Sequence, residues 1–156
     1  MSDLFKNYGI LLNNPFRFAP VFYAFYENLS DPKENNYFLS FLVLPIILKS
    51  TRLAYAKNVS KITSIFDVTD LRKRDVYYGL QDRIVSYNSI TKDSLQYAFD
   101  NNYIILNDDL SIGIGDCRPL SVKGDDTVIK RAEKLGMIFN KYTVVEIFKM
   151  FNLKKI

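Results

Sequence analysis

Apolar residues recur at helical spacing near the start of the chain. After "NNPF" (13–16), the aromatic residues Phe18, Phe22 and Phe25 follow one another at steps of four and three, which is typical of an amphipathic helix. Asn13 or Asn14 is a suitable cap for this helix, and the proline of the motif suits its first turn. The pattern therefore predicts an aromatic first helix.

The most apolar stretch, "YFLSFLVLPIILKSTR" (37–52), follows a polar break at 30–36. Its uncharged part, 38–48, is much shorter than the roughly 20 residues that a membrane-spanning helix needs. The stretch therefore predicts a buried helix rather than a membrane anchor, with Pro45 bending it or dividing it in two.

The middle of the chain predicts the element order of a winged helix. We expect helices at 60–66, at 70–87 and at 91–102, with Asp70 and Thr91 as caps of the last two. Two β-rich runs around "NDD" follow within 103–114 and predict a hairpin. In a winged helix this hairpin is the wing, and the helix before it occupies the recognition position.

Two further helices are predicted near the carboxyl end. Residues 126–141 are amphipathic, and 143–151 open with a capping box formed by Thr143 and Glu146. The second of these helices is apolar almost all the way round, so we expect it to be buried in the core of the chain or in a partner.

These elements predict one mainly α-helical domain with a small antiparallel β-hairpin. Apolar N-terminal helices (1–58) and C-terminal helices (126–153) flank a winged-helix-like core (60–115). The length of 156 residues is ordinary for a single domain.

Composition narrows the chemistry. The chain has no histidine, which excludes Ser-His-Asp and Cys-His hydrolases and makes a zinc site improbable. The aspartate pairs at 108–109 and 125–126 fit a hairpin turn and a helix cap, and "GIGDC" (113–117) lacks the remainder of a dinucleotide-binding motif. We expect no enzymatic activity, no metal and no cofactor, and an inert Cys117. Without a signal-peptide pattern at the N-terminus, we expect a cytoplasmic protein.

The densest basic cluster, Arg72, Lys73 and Arg74, leaves two interpretations open. It could contact phosphate, which would suit a DNA-binding winged-helix regulator, or it could be a solvated helix face. The helix at 91–102 is neutral to acidic, which argues against reading of a DNA groove by that helix.

Three elements together resemble the middle component of three-component ABC-ATPase systems, the group that includes Lamassu-type antiviral defence. They are Asn-Pro-Phe with an aromatic helix, a Leu-Pro-x-x-Leu core followed by Thr-Arg, and an Arg-Ala-x-x-Leu-Gly-x-x-Phe motif. In this chain they correspond to Asn14, Pro15, Phe16, Ala19 and Phe22; to Leu44, Pro45, Leu48, Thr51 and Arg52; and to Arg131, Ala132, Leu135, Gly136 and Phe139. The chain departs from the pattern at Tyr55 and Ala56, at Ile138 and at Phe151, Asn152 and Leu153. These departures affect the expected interface contacts more than the resemblance itself.

The resemblance implies a non-catalytic adaptor. It would link an SMC- or Rad50-like ABC ATPase to a nuclease-type effector subunit, in a complex that responds to foreign DNA and meets DNA through its other subunits. Ordinary core packing is an equally good interpretation for each candidate docking residue. The candidates are Pro15, Phe16, Phe18, Phe22, Arg52, Phe148 and Phe151.

Overall fold

The computed structural model describes residues 14–30, 33–48, 79–120, 124 and 126–153. Its helices are α1 (Pro15–Glu27), a 3-10 helix (Asn36–Leu39), α2 (Ser40–Ile47), α3 (Leu80–Asp100), α4 (Asp126–Phe139) and α5 (Val144–Met150). Strands β1 (Ile104–Leu106) and β2 (Ile112–Ile114) form an antiparallel hairpin, in which Ile104 pairs with Ile114 and Leu106 with Ile112. This mainly helical fold with one hairpin confirms the predicted class.

Helix α1 lies at the centre of the molecule. Asn14 caps it by accepting a hydrogen bond from the Phe16 amide, and Pro15 occupies the first turn, as predicted. Every residue from Phe18 to Tyr26 is buried, because α3, α4 and β2 all pack against this one helix. A helix that is apolar on every side is the expected choice for such a position.

The most apolar stretch of the sequence becomes the 3-10 helix and α2. All eight residues of α2 are buried, which confirms the predicted core helix. Pro45 lies inside α2 and does not divide it. The carboxyl end of α2 is satisfied by two arginines, since Arg83 donates to the Pro45 carbonyl and Arg131 to the Ile47 carbonyl. Cations are favourable at this end of a helix.

A buried tyrosine joins α1 to this segment. The Tyr26 hydroxyl is hydrogen-bonded to Ser40 Oγ and donates to the Asn36 carbonyl oxygen. Burial raises the pKa of Tyr26 well above its usual value, because the phenolate would lose its hydration.

Helix α3 corrects the predicted boundaries of the middle helices. The prediction of two separate helices at 70–87 and 91–102 is wrong at the boundary between them, because Leu80–Asp100 is one continuous helix. Thr91 is not a cap but a buried residue in the helix interior. No glycine or proline interrupts 88–91, and Ile84, Leu95 and Ala98 hold a single buried face against the core. Packing of that face outweighs the weak helix propensity of Asn, Ser and Thr.

The first half of the predicted winged helix falls outside the described residues. This applies to the helix expected at 60–66 and to the part of the next one before residue 79. The winged-helix arrangement therefore stays a prediction.

The hairpin is anchored to the helices through β2. The backbone amides of Asn35 and Tyr37 donate to the carbonyls of Asp109 and Leu110 in the turn. The buried side chain of Asn36 accepts from the Ile112 amide and donates to the Ile112 carbonyl. Residues 35–37 thus close the outer edge of β2, which would otherwise present unpaired backbone groups.

Helix α4 crosses α1 at very short range. A Cβ atom added at Gly136 would lie 2.3 Å from the Phe25 carbonyl oxygen, so only glycine fits this crossing. The predicted capping box of α5 is present, with Thr143 and Glu146 bonded to each other's backbone amides. The hydrogen bonds from Thr143 lower the pKa of the Glu146 carboxyl.

Candidate partner-docking surface

The three elements of the family pattern meet in one core. Arg131 of the third element donates to the Ile47 carbonyl at the end of the second. Gly136 lies against the backbone of α1, and the Phe139 ring contacts the Phe25 ring edge-to-face at 5.9 Å between centroids. The described residues of the pattern therefore build the fold, which explains why they occur together.

The candidate docking residues differ in how deeply their side chains are buried. Phe22 is fully buried, Phe18 and Phe151 are 7% and 5% exposed, and the Phe151 ring contacts Phe139. These three side chains belong to the core of the chain itself and present almost no surface to a partner. Core packing, the alternative that the sequence left open, describes them better.

The remaining candidates either have side chains with accessible surface or lie outside the described residues. Phe16 is 57% exposed, and Pro15 and Phe148 are half-buried. Helix α5, expected to be buried on all sides, buries only Ile147 completely and leaves Val145 61% exposed. Its burial in a partner stays a prediction. Arg52, Arg72, Lys73 and Arg74 lie outside the described residues.

Phe16 is one end of a row of side chains, which we call the aromatic strip: Phe16, Tyr97, Tyr103 and Ile105. The ring of Phe16 contacts Tyr97 edge-to-face with 4.5 Å between centroids, and Tyr97 contacts Tyr103 at 6.1 Å. Partial burial and a hydrogen bond with Tyr97 raise the pKa of the Tyr103 hydroxyl. Two segments that are distant in sequence, the start of α1 and residues 97–105, thus contribute to one surface.

The hairpin extends the strip because successive side chains of a strand point to opposite faces. Ile104 and Ile112 point into the core and are 0% and 2% exposed, so Tyr103 and Ile105 point the other way. The residue across from Ile105 is Gly113, which has no side chain to cover it, and Ile105 stays 42% exposed. A solvated hairpin face normally carries polar residues at such positions.

Acidic residues border the strip. Asp93 and Asp100 are exposed and lie one turn before and one turn after Tyr97 on the same side of α3. Between residues 91 and 118 there are five acidic and two basic residues, in a chain whose net charge is +4. One of the two cations, Arg118, already pairs with Glu27 and lies over the Tyr23 ring.

Cys117 is exposed at the base of the hairpin. Its backbone amide donates to the Asn102 carbonyl, beside Tyr103. Tyr97, Tyr103 and Ile105 were not predicted from the sequence as surface residues. The alternation of the strands could have indicated this exposure. Tyr103 and Ile105 share one face of the hairpin, and their cross-strand neighbours on that face are the two glycines of "GIG" (113–115).

The described part of the chain shows no group of three or more acidic or cysteine side chains able to hold a metal ion. Over the same residues, no helix has both the length and the hydrophobicity needed to cross a bilayer.

Comparison with known proteins gives one match. No curated protein and no solved structure matches the chain significantly. A family model described as ABC-three component (ABC-3C) system Middle Component 3 matches residues 2–155, almost the whole sequence. This match over nearly all of the sequence shows that the chain belongs to the Middle Component 3 family of ABC-three component systems.

Proposed function

We propose that this protein is the non-catalytic adaptor of its three-component system and holds the ABC ATPase and the effector subunit together. The observation that carries the proposal is the family match over residues 2–155, because a middle component of a multi-component system works with other subunits. The exposed aromatic strip supports it, since aromatic residues are enriched where proteins bind one another.

The finer assignments rest on the resemblance of the sequence elements. We propose an SMC- or Rad50-like ATPase as one partner, a nuclease-type effector as the other, and a Lamassu-type response to foreign DNA in the bacterial cytoplasm. In this proposal the ATPase and the effector carry out the chemistry, and the middle component determines how they are placed.

Direct reading of DNA by helix α3 is not part of this proposal. The exposed positions within residues 91–102, the predicted recognition position, include Asp93, Gln96 and Asp100. Carboxylates repel the phosphate backbone that supplies most non-specific DNA affinity. DNA would reach the complex through its other subunits.

Co-expression with the ATPase and effector encoded beside this gene tests the proposal. With an affinity tag on the middle component, we expect both neighbours to co-purify with it in stoichiometric amounts. An unrelated tagged protein of similar size is the control. A monomer that captures neither neighbour, or that binds duplex DNA alone with a steep salt dependence, would contradict the adaptor function and favour a DNA-binding regulator.

A further inference from the structure

The aromatic strip and its acidic border together define a chemical class of partner. We propose that this surface docks a basic segment of a partner subunit, one that carries Lys or Arg beside apolar side chains. The inference deepens the proposed adaptor function and rests on it, since it names the surface and the chemistry through which one subunit is held.

The apolar part of the surface has the properties of an interface centre. Phe16 and Ile105 are 57% and 42% exposed at the two ends. Direct ring contacts join Phe16, Tyr97 and Tyr103, and Ile105 follows Tyr103 on the same face of the hairpin. Tyrosine and phenylalanine bury a large area at low cost in side-chain entropy, and aromatic anchors dominate measured binding energies. The strip is also supported by rigid elements, namely the first turn of α1, the last turns of α3 and strand β1.

The charge of the border selects the partner. Asp93 and Asp100 lie beside Tyr97, and Asp116 lies at the base of the hairpin, where it accepts a hydrogen bond from Asn102. Lys and Arg can pair with these carboxylates and also approach the tyrosine faces. The same carboxylates repel nucleic acid. They would also face one another across a two-fold axis if a second copy of the chain occupied the strip.

Substitutions of exposed residues test the apolar contribution without disturbing the core. Phe16→Ser and Ile105→Ser shorten the two ends of the strip, whereas Val85→Ser is a control at an apolar residue that is 67% exposed elsewhere on the surface. In co-purification with the neighbouring subunits, we expect the strip variants to lower the affinity for one subunit about tenfold each. The control variant should bind as the wild type does, and circular dichroism should show all three folded.

A second pair of variants tests the charge. Asp93→Asn and Asp100→Asn keep the size of the side chains and remove both carboxylates beside Tyr97. Wild-type capture of that subunit should weaken as salt rises, and the double variant should bind more weakly and respond less to salt.

Each outcome has a distinct meaning. If the wild-type protein captures the subunits and the strip variants capture them equally well, the docking site is elsewhere and the adaptor function stands. If the wild type captures neither, the adaptor function itself fails. If light scattering shows a dimer of the isolated protein that Phe16→Ser dissociates, a second copy occupies the strip and the inference is overturned. The inference is also overturned if the wild type binds a 30-base-pair DNA duplex in a mobility-shift assay and Phe16→Ser abolishes that binding.

Discussion

At the scale of single residues, the hydroxyl of Tyr26 shows how a polar group is tolerated in an aromatic core. The hydroxyl donates a hydrogen bond to the Asn36 carbonyl oxygen and forms a second one with Ser40 Oγ. Satisfied in this way, the group stabilises one arrangement of α1 and α2. A buried hydroxyl without partners would cost about 1–3 kcal/mol.

The raised pKa of Tyr26 predicts a pH dependence of stability. Above its usual value of 10.0, the hydroxyl of the unfolded chain loses its proton while the folded chain retains it. The unfolded state then binds fewer protons, so the free energy of unfolding falls as the pH rises through and beyond 10. We expect this loss in the wild type to be about 1 kcal/mol per pH unit steeper than in Tyr26→Phe.

Urea denaturation of both proteins at several pH values from 8 to 11 measures this difference. At pH 8 we expect Tyr26→Phe to be less stable by about 1–2 kcal/mol, because Ser40 and Asn36 lose a buried partner. The gap should narrow as the pH increases. Parallel pH profiles for the two proteins would refute the role assigned to Tyr26.

At the scale of elements, the close crossing of α1 and α4 fixes the core. In an exposed helix, replacing glycine by alanine gains about 1 kcal/mol. In Gly136→Ala the new methyl group would meet the Phe25 backbone oxygen at 2.3 Å, and a backbone carbonyl cannot turn away. We therefore expect the opposite sign, a loss of about 1–3 kcal/mol as the helices are forced apart.

The midpoint of urea denaturation gives the measurement for Gly136→Ala. Lys130→Ala, at an exposed position of the same helix, is the matched control and should change stability by less than about 0.5 kcal/mol. A Gly136→Ala protein that is as stable as the wild type would show that the crossing is not as close as described.

The elements also show how far the sequence determines the structure. Local signals predicted a cap at Asn13 or Asn14, the buried helix around Leu44, the hairpin and the capping box at Thr143, because each depends on residues a few positions apart. The continuity of α3 could not be predicted locally, since it depends on contacts that its apolar face makes with distant helices.

The docking surface was less predictable than the fold. Every phenylalanine in "PFRFAPVFYAFYE" has the same local character, yet Phe16 is exposed and Phe22 fully buried. That difference depends on which faces of α1 are covered by α3, α4 and β2. The aromatic strip likewise joins residues 16, 97 and 103, whose proximity only the tertiary structure establishes.

At the scale of the whole molecule, Asn36 connects the hairpin to the helical core. It replaces a third strand by bonding both backbone groups of Ile112. We expect Asn36→Ala to lower the free energy of unfolding by about 2–3 kcal/mol, because two buried backbone groups lose their partner. The hairpin and the helices should still unfold in one transition.

Hydrogen exchange at the Ile112 amide is the most direct measurement for Asn36→Ala. Its exchange should accelerate by at least about tenfold. Gln96→Ala removes an exposed amide of α3 that bonds only Asp100 among the described residues, and it should leave the Ile112 amide unchanged. If Asn36→Ala also leaves that amide unchanged, the β2 edge is closed by other contacts.

The position of Cys117 gives the molecule a natural reporter. It is the single cysteine of the sequence, it is exposed, and it lies at the base of the hairpin, close to Tyr103 of the aromatic strip. A maleimide fluorophore or nitroxide spin label would therefore attach at one place without any engineered thiol. Its emission or spectral line shape would then follow the arrival of a second subunit in real time.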